Sequence, residues 1–193
     1  MNGPALAIPI EARRESQENV TAEAQREFAA LVGEHQSMVF SIALHYLRSR
    51  ESAEEVAQEV FLQLYRREDR LASREHVAAW LRRVACHRAI DYARRRRLDP
   101  RTSLAECPEA ANAAAPGDAA GSDPMLRERL RKLVQSLPEK ARAVMILRYQ
   151  EDLDPEEIAR TLEMPVRTVK SHLQRSLALL REKLGRARGE KLA

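Results

Sequence analysis

The sequence predicts an all-α chain: two small helical domains joined by a flexible linker, the C-terminal one a helix-turn-helix domain. Three observations lead there. Glycine is scarce, 6 of 193 residues, while Ala, Leu, Glu and Arg abound, and such a composition favours helices over sheets. Apolar residues recur at helical spacing on both sides of the chain's middle, and no segment of useful length follows the strand period. Between them, residues 98–124 hold eight alanines, Pro108, Pro116, Gly117, Gly121 and Pro124, with hardly a large apolar side chain. That is the composition of a linker.

Residues 1–25 sustain no period and are expected to form a mobile N-terminal tail. The first domain is expected over 26–97. Its first helix is marked by Phe28, Leu31, Val32, His35, Val39, Ile42 and Tyr46 at helical spacing. Ser52–Ala53–Glu54–Glu55 reads as a capping box that opens a second helix, with Ala53, Val56, Ala57, Val60, Phe61, Leu64 and Tyr65 as its buried stripe. A third helix starts near Ser73 and runs through Val77, Trp80, Leu81, Val84, Ala85 and Ile90 into Arg94–Arg97.

The second domain is expected over 125–185, followed by a short tail, 186–193. Asp123–Pro124 fits an N-cap followed by Pro at the first helical position. Leu126, Leu130, Leu133 and Val134 form one face, and Pro138 restarts the chain into a helix carrying Ala141, Val144, Met145 and Leu147. Asp154 caps a short helix whose first turn holds Glu156 and Glu157, where the dipole favours acids. Pro165 breaks it, and a longer helix follows from about Val166 to Leu184. Short helix, tight turn and longer helix make the helix-turn-helix pattern.

Hydrophobic residues make up 44% of the chain, enough for a core, but aromatics only 4%, so that core is built from Leu, Val, Ile and Ala. The net charge of +4 hides strong local fields. Arg66–Arg101 holds 12 Arg against 5 acids, a net of +7, whereas Thr102–Pro124 has four acids and no basic residue. A polyanion-binding face followed by an acidic connector fits this segregation. Cys86 and Cys107 are too few for a disulfide scaffold and lack zinc spacing. The apolar patch Ala5–Ile10 is too short for a signal peptide, and no apolar run approaches a membrane span. A reduced, cytoplasmic chain without membrane contact is therefore expected.

In the last long helix Val169, Leu173, Leu177 and Leu180 should face the core. The opposite face carries Arg167, Thr168, Lys170, Ser171, His172 and Arg175, with no Asp or Glu between Met164 and Arg181. Such a face suits a DNA major groove, where Arg and Lys pair with guanine edges and hydroxyls reach phosphates. On the third helix Arg82, Arg83 and Arg88 join Arg94, Arg95, Arg96 and Arg97 in a candidate phosphate-tracking groove. Trp80 falls on the apolar stripe and is read as core rather than as a base-stacking platform. The second helix presents the opposite chemistry: Glu54, Glu55, Gln58, Glu59 and Gln63 form an acidic, amide-rich face suited to solubility or to a basic partner protein. Cys86–His87 lacks the partners that a nucleophile or metal site needs, and no glycine-rich phosphate loop or nucleophile elbow is visible. No catalytic, cofactor or metal site is expected, and the chain is not expected to be an enzyme.

These residues resemble the bacterial RNA polymerase sigma factors. SAEEVAQEVFLQLYR is similar to the family's second conserved region, which docks on the clamp helices of the polymerase's largest subunit. The resemblance implies that Glu54, Glu55, Gln58, Glu59 and Gln63 face core polymerase and that Phe61 packs inside. WLRRVACHRAIDYARRRR is similar to the segment that recognises and opens the minus-ten element, with His87 where Asn is common. Histidine still donates and accepts hydrogen bonds. LPEKARAVMILRYQEDLDPEEIARTLEMPVRTVKSHLQRSLALLREKL resembles the fourth conserved region, which reads the minus-thirty-five element. There Glu163 and Arg167 replace two common glycines. Glu163 should shift the turn slightly, and Arg167 should add a cation at the groove.

The chain has no room for the extra domains of housekeeping sigma factors, which points to the extracytoplasmic-function group. The implied partners are core RNA polymerase and promoter DNA. An anti-sigma factor is compatible with the resemblance, though the residues do not require one. The alternative is a conventional helix-turn-helix regulator that binds operators by itself, whose signal-regulated members share the look of Val169–Leu173. Against it, the first domain lacks a receiver or ligand-pocket pattern.

The 27 linker residues would span about 90 Å extended but only roughly 30 Å as a free coil, against promoter elements on the order of 70 Å apart. The linker is thus expected to lie extended against polymerase. Deleting about ten of its residues should abolish run-off transcription; unchanged transcription would contradict an extended linker.

Overall fold

The computed structural model describes residues 10–66, 73–98 and 124–189, with side chains over 22–66, 73–98 and 124–185. Among them are seven helices and no strand: α1 (Ile10–Leu47), α2 (Arg50–Tyr65), α3 (Arg74–Leu98), α4 (Pro124–Gln135), α5 (Glu139–Tyr149), α6 (Pro155–Thr161) and α7 (Val166–Gly189). By compactness the chain divides into residues 1–36 and 37–193. The first unit holds the N-terminal part of α1, and the second holds the remainder of α1 and helices α2 to α7. Residues 99–123 of the expected linker, and residues 1–9, lie outside the described residues.

Helix α1 begins at Ile10, so residues 10–25, expected as a mobile tail, are helical. Strong helix formers (Ala, Glu, Arg and Gln) fill Glu11–Glu27 and favour helix without an apolar stripe, which is why periodicity alone misses them. Helix α7 likewise runs on past Leu184 into the expected C-terminal tail, as far as Gly189.

The start of α2 also differs from expectation. Arg48 takes a left-handed φ of 61°, and its N–H donates to the Leu44 carbonyl at 2.8 Å. The next residue, Ser49, is the N-cap, its hydroxyl accepting from the Ser52 amide at 3.3 Å. Ser52, expected as the cap, sits inside the helix and is buried. The left-handed turn at Arg48 sets the entry angle, and no Gly or Asn signals it. Elsewhere the helix starts fall close to where they are read. Ser73 accepts from the His76 amide at 3.3 Å just before α3. Pro124 is the first residue of α4, while Asp123 lies outside the described residues. At α6 the Asp154 carboxylate accepts from the Glu157 amide at 2.7 Å and the Glu157 carboxylate from the Asp154 amide at 2.8 Å, a complete capping box.

Val39, Ile42, Ala43 and Tyr46 of α1 pack in a core with Ala53, Val56, Val60 and Leu64 of α2 and with Val77, Leu81, Ala85, Cys86 and Ala89 of α3. Two residues expected on the α2 stripe fall off it: Phe61 is half-buried and Tyr65 is 57% exposed. Each lies one position beyond the buried 56–60–64 row, about 100° further round the helix. In the second half α5 is buried without a break from Ala141 to Leu147. Leu137, Ala141, Met145 and Leu180 form one cluster, against which Leu133, Val134, Leu173 and Leu177 pack. The expected α4 face is thinner than predicted, since Leu126 is exposed.

Replacing Asp154 with Ala should cost about 1 kcal/mol of stability by removing the α6 cap. Urea unfolding should then show a lower midpoint at an unchanged slope.

Candidate nucleic-acid and polymerase interfaces

The amino-terminal end of α7 is set by the turn after α6. Glu163 takes a left-handed φ of 50°, and the Met164 amide donates to the Ala159 carbonyl at 3.0 Å. This is the Schellman arrangement, whose left-handed residue is usually glycine. The expected shift of the turn is therefore not seen: Glu163 adopts the backbone that a glycine would. Past Pro165, Arg167, Lys170 and Arg175 are exposed, and Thr168, Ser171 and His172 are half-buried. Lys170 does not stand alone, since its Nζ lies 3.2 Å from Glu156 Oε1 of α6. Burial first, then the charges of Arg175 and Lys140, lowers the His172 pKa, so its ring is neutral at neutral pH and offers one donor and one acceptor. Val169 and Leu180 are buried, and Leu173 and Leu177 are packed on the core, as the stripe predicts. Sequence reasoning missed Gln174. It is exposed, four residues from Lys170 and seven from Arg167, hence on the same face. An amide there adds an adenine-pairing group to a face otherwise made of cations and hydroxyls.

The arginines of α3 divide between two neighbours. Toward α2 they form an antiparallel ladder. Arg88 Nη1 lies 3.7 Å from Glu59 Oε2, in ion-pair range but without a hydrogen bond. With its amide oxygen turned to the guanidinium, Gln63 accepts from Arg88 Nε at 2.7 Å. Tyr92 donates to Glu55 Oε2 at 3.0 Å, and Arg96 donates to Ser52 Oγ at 3.1 Å. Toward the second half, Arg83 donates to Glu163 Oε1 at 3.0 Å and Arg94 to Glu139 Oε2 at 3.0 Å, while Arg97 lies 3.7 Å from Glu139 Oε1. The hydrogen bond from Arg94 to Glu139 raises the guanidinium's pKa further. Arg82 and His87 are half-buried and Arg95 is exposed. The expected groove is thus not one continuous open row. Trp80 is half-buried, on the edge of the core rather than inside it.

The ladder splits the acidic face of α2. Glu55, Glu59 and Gln63 turn toward α3, whereas Glu54 and Gln58 are exposed, Glu54 paired with Arg50 at 2.8 Å. One turn beyond Gln58 stands Leu62, 56% exposed, and Tyr65 is exposed three residues further. An apolar side chain and an aromatic beside acids and amides make a surface suited to a protein partner. Leu62 and Tyr65 are the residues that sequence reasoning missed or placed in the core.

The Sigma-70 region 2 family model matches residues 31–98, and the Sigma-70, region 4 model matches 127–180. The chain is 34% identical over 160 residues to the ECF RNA polymerase sigma-E factor of Escherichia coli K12, covering 79% of this chain and 83% of that protein. The chain belongs to the ECF sigma factors. It is also 29% identical over 169 residues to the ECF RNA polymerase sigma factor SigW of Bacillus subtilis, with 83% of this chain and 90% of SigW covered. Two solved structures share its fold, each at a TM-score of 0.60. CnrH in complex with the cytosolic domain of CnrY is 22% identical over 85% of this chain and 94% of that one. RpoE in complex with the anti-sigma factor NepR from Bartonella quintana is 18% identical over 83% and 96%. As a sigma factor the chain directs promoter-specific transcription initiation. No described helix is long and apolar enough to cross a membrane.

Burial pushes the Cys86 thiol of this sigma factor up to about 12, which keeps it protonated and unreactive. Cys107 lies outside the described residues. Burial also raises the pKa of Glu151, opposed by the Ser41 hydroxyl, which donates to it at 3.0 Å, and by the charge of Arg82. A carboxyl with a raised folded pKa stabilises the fold at low pH, and that contribution is lost as pH rises through the folded value. Glu151→Gln keeps an acceptor for Ser41 and cannot ionise. It should therefore be more stable than the parent at neutral pH and lose that advantage in acid. Urea melts at the two pH values check this, and an advantage that is greater in acid would contradict it.

Proposed function

We propose that this sigma factor uses three separate surfaces, and that it acts by binding alone, in the cytoplasm. The domain at 26–97 docks on the clamp helices of the polymerase's largest subunit through α2. Glu54 and Gln58 make the first contact, Leu62 and Tyr65 provide apolar area, and Glu55, Glu59 and Gln63 set the angle of α2 through α3. Helix α3, with Arg82, Arg83, His87, Arg88 and Arg94–Arg97, holds the minus-ten element. The domain at 125–185 places Arg167, Lys170, Gln174 and Arg175 in the major groove of the minus-thirty-five element, with Thr168, Ser171 and His172 on phosphates or base edges. Residues 98–124 link the two. Because the Bartonella RpoE was captured with the anti-sigma factor NepR, an anti-sigma factor belongs to this reading as a further partner.

The observation that carries the proposal is the pairing, on one chain, of an exposed Glu54–Gln58–Leu62 row with a second helix of a helix-turn-helix, α7, that carries no acid before Arg181. A regulator that binds operators unaided needs the second feature and has no use for the first.

Reconstituted transcription with purified core polymerase tests it. Glu54→Arg/Gln58→Arg should lose core binding and start-specific RNA together while duplex binding by α7 persists. Those two positions are preferable to Glu55 and Glu59, which contact α3. A wild-type chain that ignores core polymerase yet binds a duplex operator alone would establish the conventional regulator instead. Lys170→Ala should cost about 1–3 kcal/mol in binding if the lysine reads a base, and the loss should then depend on sequence.

A further inference from the structure

We propose that Glu156, on the first helix of the helix-turn-helix, is a specificity-determining residue of the promoter interface: its carboxylate and the Lys170 ammonium together read one G·C pair, with guanine on the lysine side. The proposal rests on the placement of α7 in the major groove of the minus-thirty-five element.

Lys170 Nζ lies 3.2 Å from Glu156 Oε1, and the two side chains remain 58% and 51% exposed, so a donor and an acceptor are held side by side at the surface. Lys170 shares the exposed row of α7 with Arg167 and Gln174. Helix α7 brings no acid of its own before Arg181, and Glu156 of α6 sets a carboxylate beside that row. Capping does not occupy Glu156, since Asp154 and Glu157 satisfy each other's amides at the start of α6. An exposed ion pair of this kind also adds little to stability. Its consequence lies in what the pair offers to DNA.

The spacing matches the edge of a base pair. Guanine O6 and cytosine N4 are hydrogen-bonded to one another, which puts acceptor and donor about 2.9 Å apart in the major groove. An ammonium over O6 and a carboxylate over the N4 amino group meet that pattern at the separation seen here. Guanine N7, beyond O6, gives the ammonium a second acceptor. The other three pairs fit worse. T·A presents acceptor and donor in the same order, but a methyl replaces N7 on the lysine side and adenine N7 turns a lone pair toward the carboxylate. C·G and A·T put the donor under Lys170 and the acceptor under Glu156. A carboxylate left without a donor penalises the wrong sequences, which is discrimination by repulsion as well as by attraction.

The test uses the full chain in holoenzyme with purified core polymerase, on a pool of duplex promoters randomised at both elements, with the templates that yield RNA identified by sequencing. Wild type should hold one position of the upstream element to G·C in a single orientation. Glu156→Gln keeps the size of the side chain and the α6 cap, and its amide can pair with adenine N6 and N7. T·A at that position should therefore rise about fivefold or more relative to G·C, with the other positions unchanged. Glu156→Ala should relax the same position without favouring T·A. A merely structural ion pair would lower the urea midpoint of both variants and leave the base profile as it was, and that outcome overturns the proposal. A gain shared equally by all sequences, the mark of charge alone, overturns it too, as does a wild-type profile with no such G·C position. Arg167→Ala/Arg175→Ala reads the underlying placement separately: if the whole upstream profile survives in that variant, α7 does not read the element, and the placement itself fails.

Discussion

The guanidinium of Arg142 is almost wholly withdrawn from water, at 3% exposure, and the fold around it is arranged to make that tolerable. Its Nη2 donates to the Gln135 carbonyl at 2.6 Å and to that of Leu137 at 3.4 Å, at the C-terminal end of α4. The helix dipole is negative there, so orphan carbonyls and a cation satisfy each other. Nε has no hydrogen-bond partner among the described residues, and the group lies 5.0 Å from the centre of the Tyr46 ring, whose π face compensates part of the lost hydration. Removing one partner of a buried charge costs far more than the contact itself is worth, which gives Tyr46 and the α4–α5 turn a fixed relation. Tyr46 is itself 2% exposed, and burial pushes its hydroxyl up to about 12, so it stays a donor and reaches the Glu139 carbonyl. The carboxylate of Glu139, in the first turn of α5, is thereby delivered to Arg94 and Arg97.

A second constraint is the ladder between α2 and α3. Two antiparallel helices with opposite charge must meet along one line, and Ser52, Glu55 and Glu59 face Arg96, Tyr92 and Arg88 along it. The ladder uses up part of each helix's polar surface and leaves each helix another polar direction, roughly a quarter turn away on α2 and on the opposite side of α3. On α2 that direction carries Glu54, Gln58 and Leu62; on α3 it carries Arg83, Arg94 and Arg97. The acidic row of α2 and the arginine row of α3 are therefore separated by the packing itself and not only by sequence position.

Helix content, the α6 cap and the α7 core stripe were legible because each is local: spacing, a capping box and a proline punctuate the chain whatever surrounds them. The candidate residues on α7 were legible for the same reason, since one core stripe determines the opposite face. What was not legible depends on partners distant in sequence. Ser52 looks like a cap but is buried beneath Arg96, because a left-handed Arg48 opens the helix three residues earlier. Tyr65 looks like core but lies a fraction of a turn off the buried row. The arginines of α3 read as one groove, yet their division between α2 acids and Glu139 or Glu163 depends on contacts spanning up to 80 residues. No periodicity within a helix encodes that.

The energetics of Glu163 argue that its role is not to stabilise the fold. A non-glycine residue in the left-handed region costs on the order of 1 kcal/mol. Its ion pair with Arg83 joins side chains 61% and 44% exposed, and such exposed pairs contribute about 0–1 kcal/mol. The two magnitudes nearly cancel, so the net effect on stability is close to zero. A contact of that kind is easily displaced: salt screens it, and a phosphate backbone, with many anionic oxygens in register, outcompetes a single carboxylate. The buried contacts around Arg142 and Tyr46 determine where the second half rests, whereas the exposed pairs add little to its hold.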